Sequence, residues 1–178
     1  ILALAKNPGM KTKLAEALIR QEKGAFDPDA LRAALKLPLD YVFPNEPGLV
    51  KFLESRQDLD PTGVIDYLLG TFYYSVNRKD EALAKYLDAY AKGLRYTVLL
   101  HNLGYIYLQV HGNADEAEKY LREDVSVNGA RNEHTLMLLD RIYRERGDLQ
   151  KRQELVPLME KTANRARVLI NLAEIYRD

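Results

Sequence analysis

The sequence predicts an all-α chain of antiparallel helix hairpins stacked in series, and three observations carry that expectation. A Leu-Gly-x-x-Tyr group at Leu69, Gly70 and Tyr73 returns at Leu103, Gly104 and Tyr107, every offset being 34 residues. Tyrosines stand in phase at positions 73, 107, 143 and 176, with steps of 34, 36 and 33. Small residues follow at matching places, Ala82 after the first group and Ala117 after the second, 35 residues apart. A fixed period of this length marks a repeat architecture, in which each unit buries its apolar face against the next.

Taken in order, the elements begin with residues 11–23, where Leu14, Ala15, Leu18 and Ile19 form a helical stripe. Asp27-Pro28 opens a second helix through Leu31, Ala34 and Leu35, since Asp caps a helix and Pro suits its first position. Pro38, Pro44 and Pro47 break the next stretch, and a short helix around Leu49 to Leu53 leads to Asp60. Residues 1–60 thus read as a helical N-terminal cap or a degenerate repeat, with Tyr41-Val42-Phe43-Pro44 as a segment able to fold over a groove or dock a partner.

Asp60-Pro61 reads as the opening of the repeat array, which occupies 61–178 in units of about 61–94, 95–130, 131–164 and the first helix of a further unit at 165–178. Leu, Gly and Tyr at i, i+1 and i+4 set a small residue between two large ones on one helical stripe. Gly70 and Gly104 each cost a helix about 1 kcal/mol relative to Ala, a loss tolerated where another backbone must come close. Ala82 and Ala117 offer the small surface opposite, with Tyr86 or Leu121 filling the space one turn later. Asn77 and Gly147 sit where the hairpin turn wants a left-handed residue. The third unit (Leu139, Tyr143, Gly147) is the least regular: Arg152 takes the small-residue place and Pro157 falls inside the second helix, so a distorted or shifted helix is expected there.

These residues resemble the tetratricopeptide repeat (TPR) family, which implies a right-handed α-α superhelix, a TPR-like solenoid whose first helices line a concave groove. The chain departs from the family pattern where Asp66 and Leu100 replace a large aromatic and where Leu94 and Gly129 replace a closing proline. Carried over position by position, the resemblance implies groove residues Tyr67, Thr71 and Tyr74 in the first unit. It implies His101, Asn102, Tyr105 and Gln109 in the second, and Met137, Arg141 and Arg144 in the third. Tyr and Arg are residues that binding hot spots favour. Tyr73, Tyr107, Tyr143 and Tyr176 are expected in the core. Some family members clamp a chaperone's C-terminal carboxylate with five Lys, Asn and Arg side chains. Only Asn102 and Arg141 match that set, and both lysines are missing, which argues against that ligand.

Composition narrows the function classes. Lys plus Arg and Asp plus Glu balance at 26 each, where a nucleic-acid binder carries a basic excess. There is no cysteine, so disulfides, thiolate zinc sites and a cysteine nucleophile are excluded together. No apolar run reaches the roughly 18 residues of a bilayer span, and no signal-peptide layout opens the chain, which starts at Ile1 and reads as a soluble segment of a longer protein. No phosphate-binding glycine loop or His i, i+4 pair is present. His101 and His134 could approach across adjacent helices, but two histidines without a third ligand assign no metal. No catalytic residue and no cofactor is assigned. The expected function is a protein- or peptide-binding scaffold. The alternative is a regulatory or accessory domain of a larger protein, fused to a membrane-bound or catalytic segment and acting within its own chain. An end-to-end homodimer is a third expectation, because Leu169, Leu172 and Tyr176 would leave an apolar face on the terminal helix.

Overall fold

A computed structural model describes residues 13–39, 47–129 and 132–162, with positions 173 and 175 beyond them. All regular structure among the described residues is helical. The chain divides into two compact units, Ile1–Leu94 and Arg95–Asp178, a division that falls between the first and second expected repeats.

The first unit holds α1 (Lys13–Lys23), α2 (Pro28–Ala34), α3 (Pro47–Glu54), a 3-10 turn (Gln57–Leu59), α4 (Val64–Ser75) and α5 (Lys79–Ala91). Leu14 and Leu18 of α1 are buried, as the stripe predicts. Asp27 caps α2, its carboxylate accepting from the backbone N–H groups of Asp29 and Ala30 at 2.9 and 3.3 Å, with Pro28 next in line. Pro47, expected to break structure, instead starts α3, where its fixed φ suits the first turn. Residues 40–46, including Tyr41-Val42-Phe43-Pro44, lie outside the described residues.

The opening of the array differs from expectation. Asp60 is not the N-cap of a helix starting at Pro61. Helix α4 begins three residues later, after Gly63 turns the chain at φ +79° against the Ala89 carbonyl. Asp60 still serves the helix: it is buried and accepts from the backbone N–H of Thr62 at 2.8 Å and of Ile65 at 2.7 Å. A buried carboxylate thus satisfies one of the first-turn donors that α4 cannot satisfy itself. Asp66, in the family's aromatic place, is 2% exposed and bound by Lys92 at 2.6 Å and Lys85 at 3.4 Å, which ties α4 to α5 by charge.

The second unit holds α6 (Thr97–Gln109), α7 (Ala114–Asn128), α8 (Glu133–Glu145) and α9 (Leu149–Thr162). Its core gathers Ala117 and Leu121 of α7, Leu136, Leu139, Ile142 and Tyr143 of α8, Leu155 and Met159 of α9, and Ile175. The other expected residues of a terminal helix face, Leu169, Leu172 and Tyr176, lie outside the described residues.

The three hairpins α4–α5, α6–α7 and α8–α9 share one turn device. The N–H groups of Arg78, Asn113 and Asp148 each donate to the carbonyl of the repeat tyrosine, Tyr73, Tyr107 and Tyr143, at 2.9 Å. The residue before each donor is left-handed: Asn77 at φ +63°, Gly112 at +62° and Gly147 at +67°. This closes the helix end as a Schellman-type cap does. The extra residue of the second turn is absorbed between Tyr107 and Gly112.

Gly70 and Gly104 are where helices touch. A Cβ on Gly70 would stand 2.6 Å from the Tyr86 ring and 3.2 Å from the Ala82 carbonyl oxygen. A Cβ on Gly104 would stand 2.5 Å from Leu121 and 3.2 Å from the Ala117 carbonyl oxygen. In the third hairpin Asp140 takes the glycine place and Arg152 the alanine place, and their side chains meet at 2.9 Å, both at most 3% exposed. Helix α9 runs through Pro157 without interruption. The ring leaves the Gln153 carbonyl without its helical donor, and both residues are on the exposed side, where water can take that bond. Of the tyrosines expected in the core, Tyr73 and Tyr143 are buried. Tyr107 is half-exposed, stacked on Tyr120 at 5.6 Å with the rings 8° from parallel.

Candidate functional site

The expected groove residues occupy different environments. Tyr67 is a correction: it is 4% exposed, with its ring 6.2 Å from that of Tyr86. In the first two turns of α4, Val64 to Gly70 are buried without exception, and α4 packs against both α3 and α5. Tyr67 therefore belongs to the core. Thr71 and Tyr74, one and two turns on, are half-exposed. The Thr71 hydroxyl donates to the Tyr67 carbonyl at 2.9 Å.

In the second unit, α6 and α8 pack beside one another. His101, Asn102 and Tyr105 are half-exposed on α6 and Gln109 is exposed at its end. On α8, Met137 and Arg141 are half-exposed and His134 and Arg144 exposed. Their spacing, at i, i+3 or i+4 along each helix, gives one accessible stripe per helix. The Arg141 guanidinium donates to Glu145 one turn on, at 2.8 Å. The structure brings His101 and Tyr105 together, rings 6.4 Å apart, and sets His134 6.3 Å from His101 across the two helices.

Below the stripe lies a polar network. Asp124 of α7 and Thr135 of α8 are each 1% exposed. The Thr135 hydroxyl donates to the Asp124 carboxylate at 2.6 Å, and the Asn128 amide donates to its other oxygen at 3.0 Å. His101 Nδ1 stands 3.2 Å from the Thr135 oxygen. A hydroxyl has one proton, and Thr135 gives it to a carboxylate that can only accept. The histidine nitrogen must therefore be the donor, so His101 carries its proton on Nδ1. Burial, with the neighbouring His134 as a second cause, pushes the His101 pKa down from 6.5 to about 4. His101 is thus a neutral imidazole at ordinary pH.

Sequence reasoning reached His101 but not Asp124, Thr135 or Asp140. A signal for Asp124 existed: it continues the buried stripe of Ala117, Tyr120 and Leu121 at i, i+3, i+4 and i+7, a carboxylate on an otherwise apolar face. Asp140 was equally visible as the residue after Leu139, in the Gly place of the repeat group.

Among the described residues no three His, Cys, Asp or Glu side chains converge as a metal cage, and no helix is long and apolar enough to cross a membrane. No family model and no curated protein matches the chain. Among solved structures the chain is similar to the crystal structure of MamA, a TPR-like protein, at 18% identity and a TM-score of 0.60. The match covers 85% of this chain and 90% of that one. A likeness at this identity shows the fold: an all-α, TPR-like arrangement of helix hairpins.

Proposed function

We propose that this chain is a protein- or peptide-binding scaffold and that its working surface is the face α6 and α8 share. The observation that supports this most directly is the pair of accessible stripes on adjacent helices, Tyr105 and His101 on one and Arg141 and Met137 on the other. Side chains held on packed helices lose little freedom on binding, so an aromatic ring and a guanidinium placed there are inexpensive anchors. Arg141 and Tyr105 suit an extended segment that carries an acidic group, which a guanidinium holds with charge-assisted hydrogen bonds. In this reading the protein acts by holding a partner and leaves the partner's chemistry unchanged.

The test is capture from a lysate of the source cell by the wild-type chain and by a Tyr105→Ala, Arg141→Glu variant, with matched circular dichroism spectra. A protein retained by the first and lost by the second supports the face. Equal capture by both moves the working surface elsewhere.

A further inference from the structure

From the end of α7 we infer a site of spontaneous covalent modification, at which Asn128 loses its side-chain amide to attack by the backbone nitrogen of Gly129. Asn128-Gly129 is the one Asn-Gly step in the chain, and Asn128 is half-exposed. Asparagine is a thermally labile residue, and ring closure onto the next backbone nitrogen is least hindered where that residue has no side chain. The helix end supplies the second condition. At the ends of α4, α5, α6 and α8 the cap N–H groups of Val76, Lys92, Val110 and Arg146 each donate to a helix carbonyl. Among the described residues the Gly129 N–H has no such acceptor, and Gly129 leaves the helix exposed, at φ +69° and ψ −177°. The nitrogen that must shed its proton is therefore not held by a carbonyl of its own helix.

In the first step the Gly129 nitrogen bonds to the Asn128 carboxamide carbon and closes a succinimide ring. The amide nitrogen departs as ammonia, carrying the proton that the backbone nitrogen sheds. Water then opens the ring at either carbonyl. Its hydroxyl stays on the carbon, its other proton returns to the nitrogen, and the product is aspartate or isoaspartate at position 128. Water is the only co-reactant. The consequence follows from what Asn128 holds. Its amide donates to Asp124 at 3.0 Å, a carboxylate 1% exposed whose other oxygen accepts from Thr135 of α8 at 2.6 Å. A carboxylate in place of that amide cannot donate at neutral pH, and two carboxylates brought into contact repel. The modification thus strikes the polar network that joins α7 to α8 beneath the face that α6 and α8 share, whatever that face binds.

The test follows the folded wild-type chain through incubation at mildly alkaline pH, with peptide mapping by mass spectrometry and an assay for released ammonia. Conversion at Asn128 should be roughly tenfold or more faster than at Asn102, Asn113 or Asn132, each of which precedes a residue with a side chain. Thermal unfolding reads the effect on the fold. Asn128→Asp should lower Tm by about 5 °C relative to Val127→Asp, a control that adds the same charge at the neighbouring exposed position. Exchanging the partners, Asp124→Asn with Asn128→Asp, again sets one donor against one carboxylate and should recover most of that loss. Conversion at Asn128 no faster than at the other three asparagines would overturn the site. Equal Tm in Asn128→Asp and Val127→Asp would overturn its link to Asp124.

Discussion

The second and third hairpins occupy the same place in the repeat and solve its tightest contact in opposite ways. Between α6 and α7, Gly104 meets Ala117 and Leu121 with no room for a methyl group. Between α8 and α9, Asp140 and Arg152 stand in the corresponding places and form a buried ion pair at 2.9 Å. Close backbone approach is the cheaper solution, because it needs no charge to leave water. An ion pair at most 3% exposed must recover two desolvation penalties. The difference teaches that a repeat position is a geometric demand that more than one chemistry can meet, provided both sides change together.

The largest effect should come from separating that pair. Arg152→Ala leaves the Asp140 carboxylate buried without its cation and should cost about 3–5 kcal/mol of stability. Replacing both, as Asp140→Leu with Arg152→Met, keeps the volume and removes the charges; stability should stay within about 1 kcal/mol of wild type or exceed it. Urea unfolding of the two variants beside wild type measures both. A small loss in Arg152→Ala would mean that the pair is not the contact holding α9 to α8.

The same unit contains a second buried carboxylate, and it is held differently. Among the described residues Asp124 receives neutral donors, Thr135 and Asn128, while His101 behind Thr135 stays uncharged. This difference fixes a sign. The His101 pKa is 6.5 when unfolded and about 4 when folded, so between those values the unfolded chain binds the extra proton. Its contribution is complete above pH 6.5 and is lost as the pH falls toward 4. Wild type should therefore lose about 3 kcal/mol more than His101→Asn between pH 7 and pH 4. Thermal unfolding of the two proteins across that range isolates the histidine from the carboxylates they share. Equal losses would show that His101 is solvated in the folded chain, and the distinction between the two carboxylates would lose its basis.

How far these features could be read in advance follows from which chain neighbours they involve. Of the repeat tyrosines Tyr73 and Tyr143 were legible as core, and so were Gly70, Gly104 and the left-handed Asn77 and Gly147, since each answers a local demand of a helix, a close approach or a turn. Asp27 with Pro28 was legible for the same reason. The start of α4 was not, because Asp60 acts across Gly63 on Ile65 in place of capping its own neighbours. Tyr67 was misplaced because α4 is buried all round from Val64 to Gly70, where the repeat pattern leaves one face accessible. Of the candidate site, the stripe residues were legible as positions on a helix. Asp124 and Thr135, which give His101 its character, are joined only when α7 and α8 pack. No spacing rule connects them.

The smallest effect sharpens the comparison from the side of the glycine. In an isolated helix Gly104→Ala gains about 1 kcal/mol. Here the added Cβ would stand 2.5 Å from Leu121 and 3.2 Å from the Ala117 carbonyl oxygen. Leu121 is fully buried and cannot swing away without displacing its neighbours. Overpacking of this kind costs about 1–3 kcal/mol, so the net result should be a loss of about 1 kcal/mol. Because the clash is chiefly with the Leu121 side chain, the two residues should not act independently. Leu121→Ala should cost less in the Gly104→Ala background than in wild type, a coupling that a double-mutant cycle reads directly. Additive losses, or a gain on Gly104→Ala alone, would mean that α6 and α7 are not in the contact that sets their hairpin apart from α8 and α9.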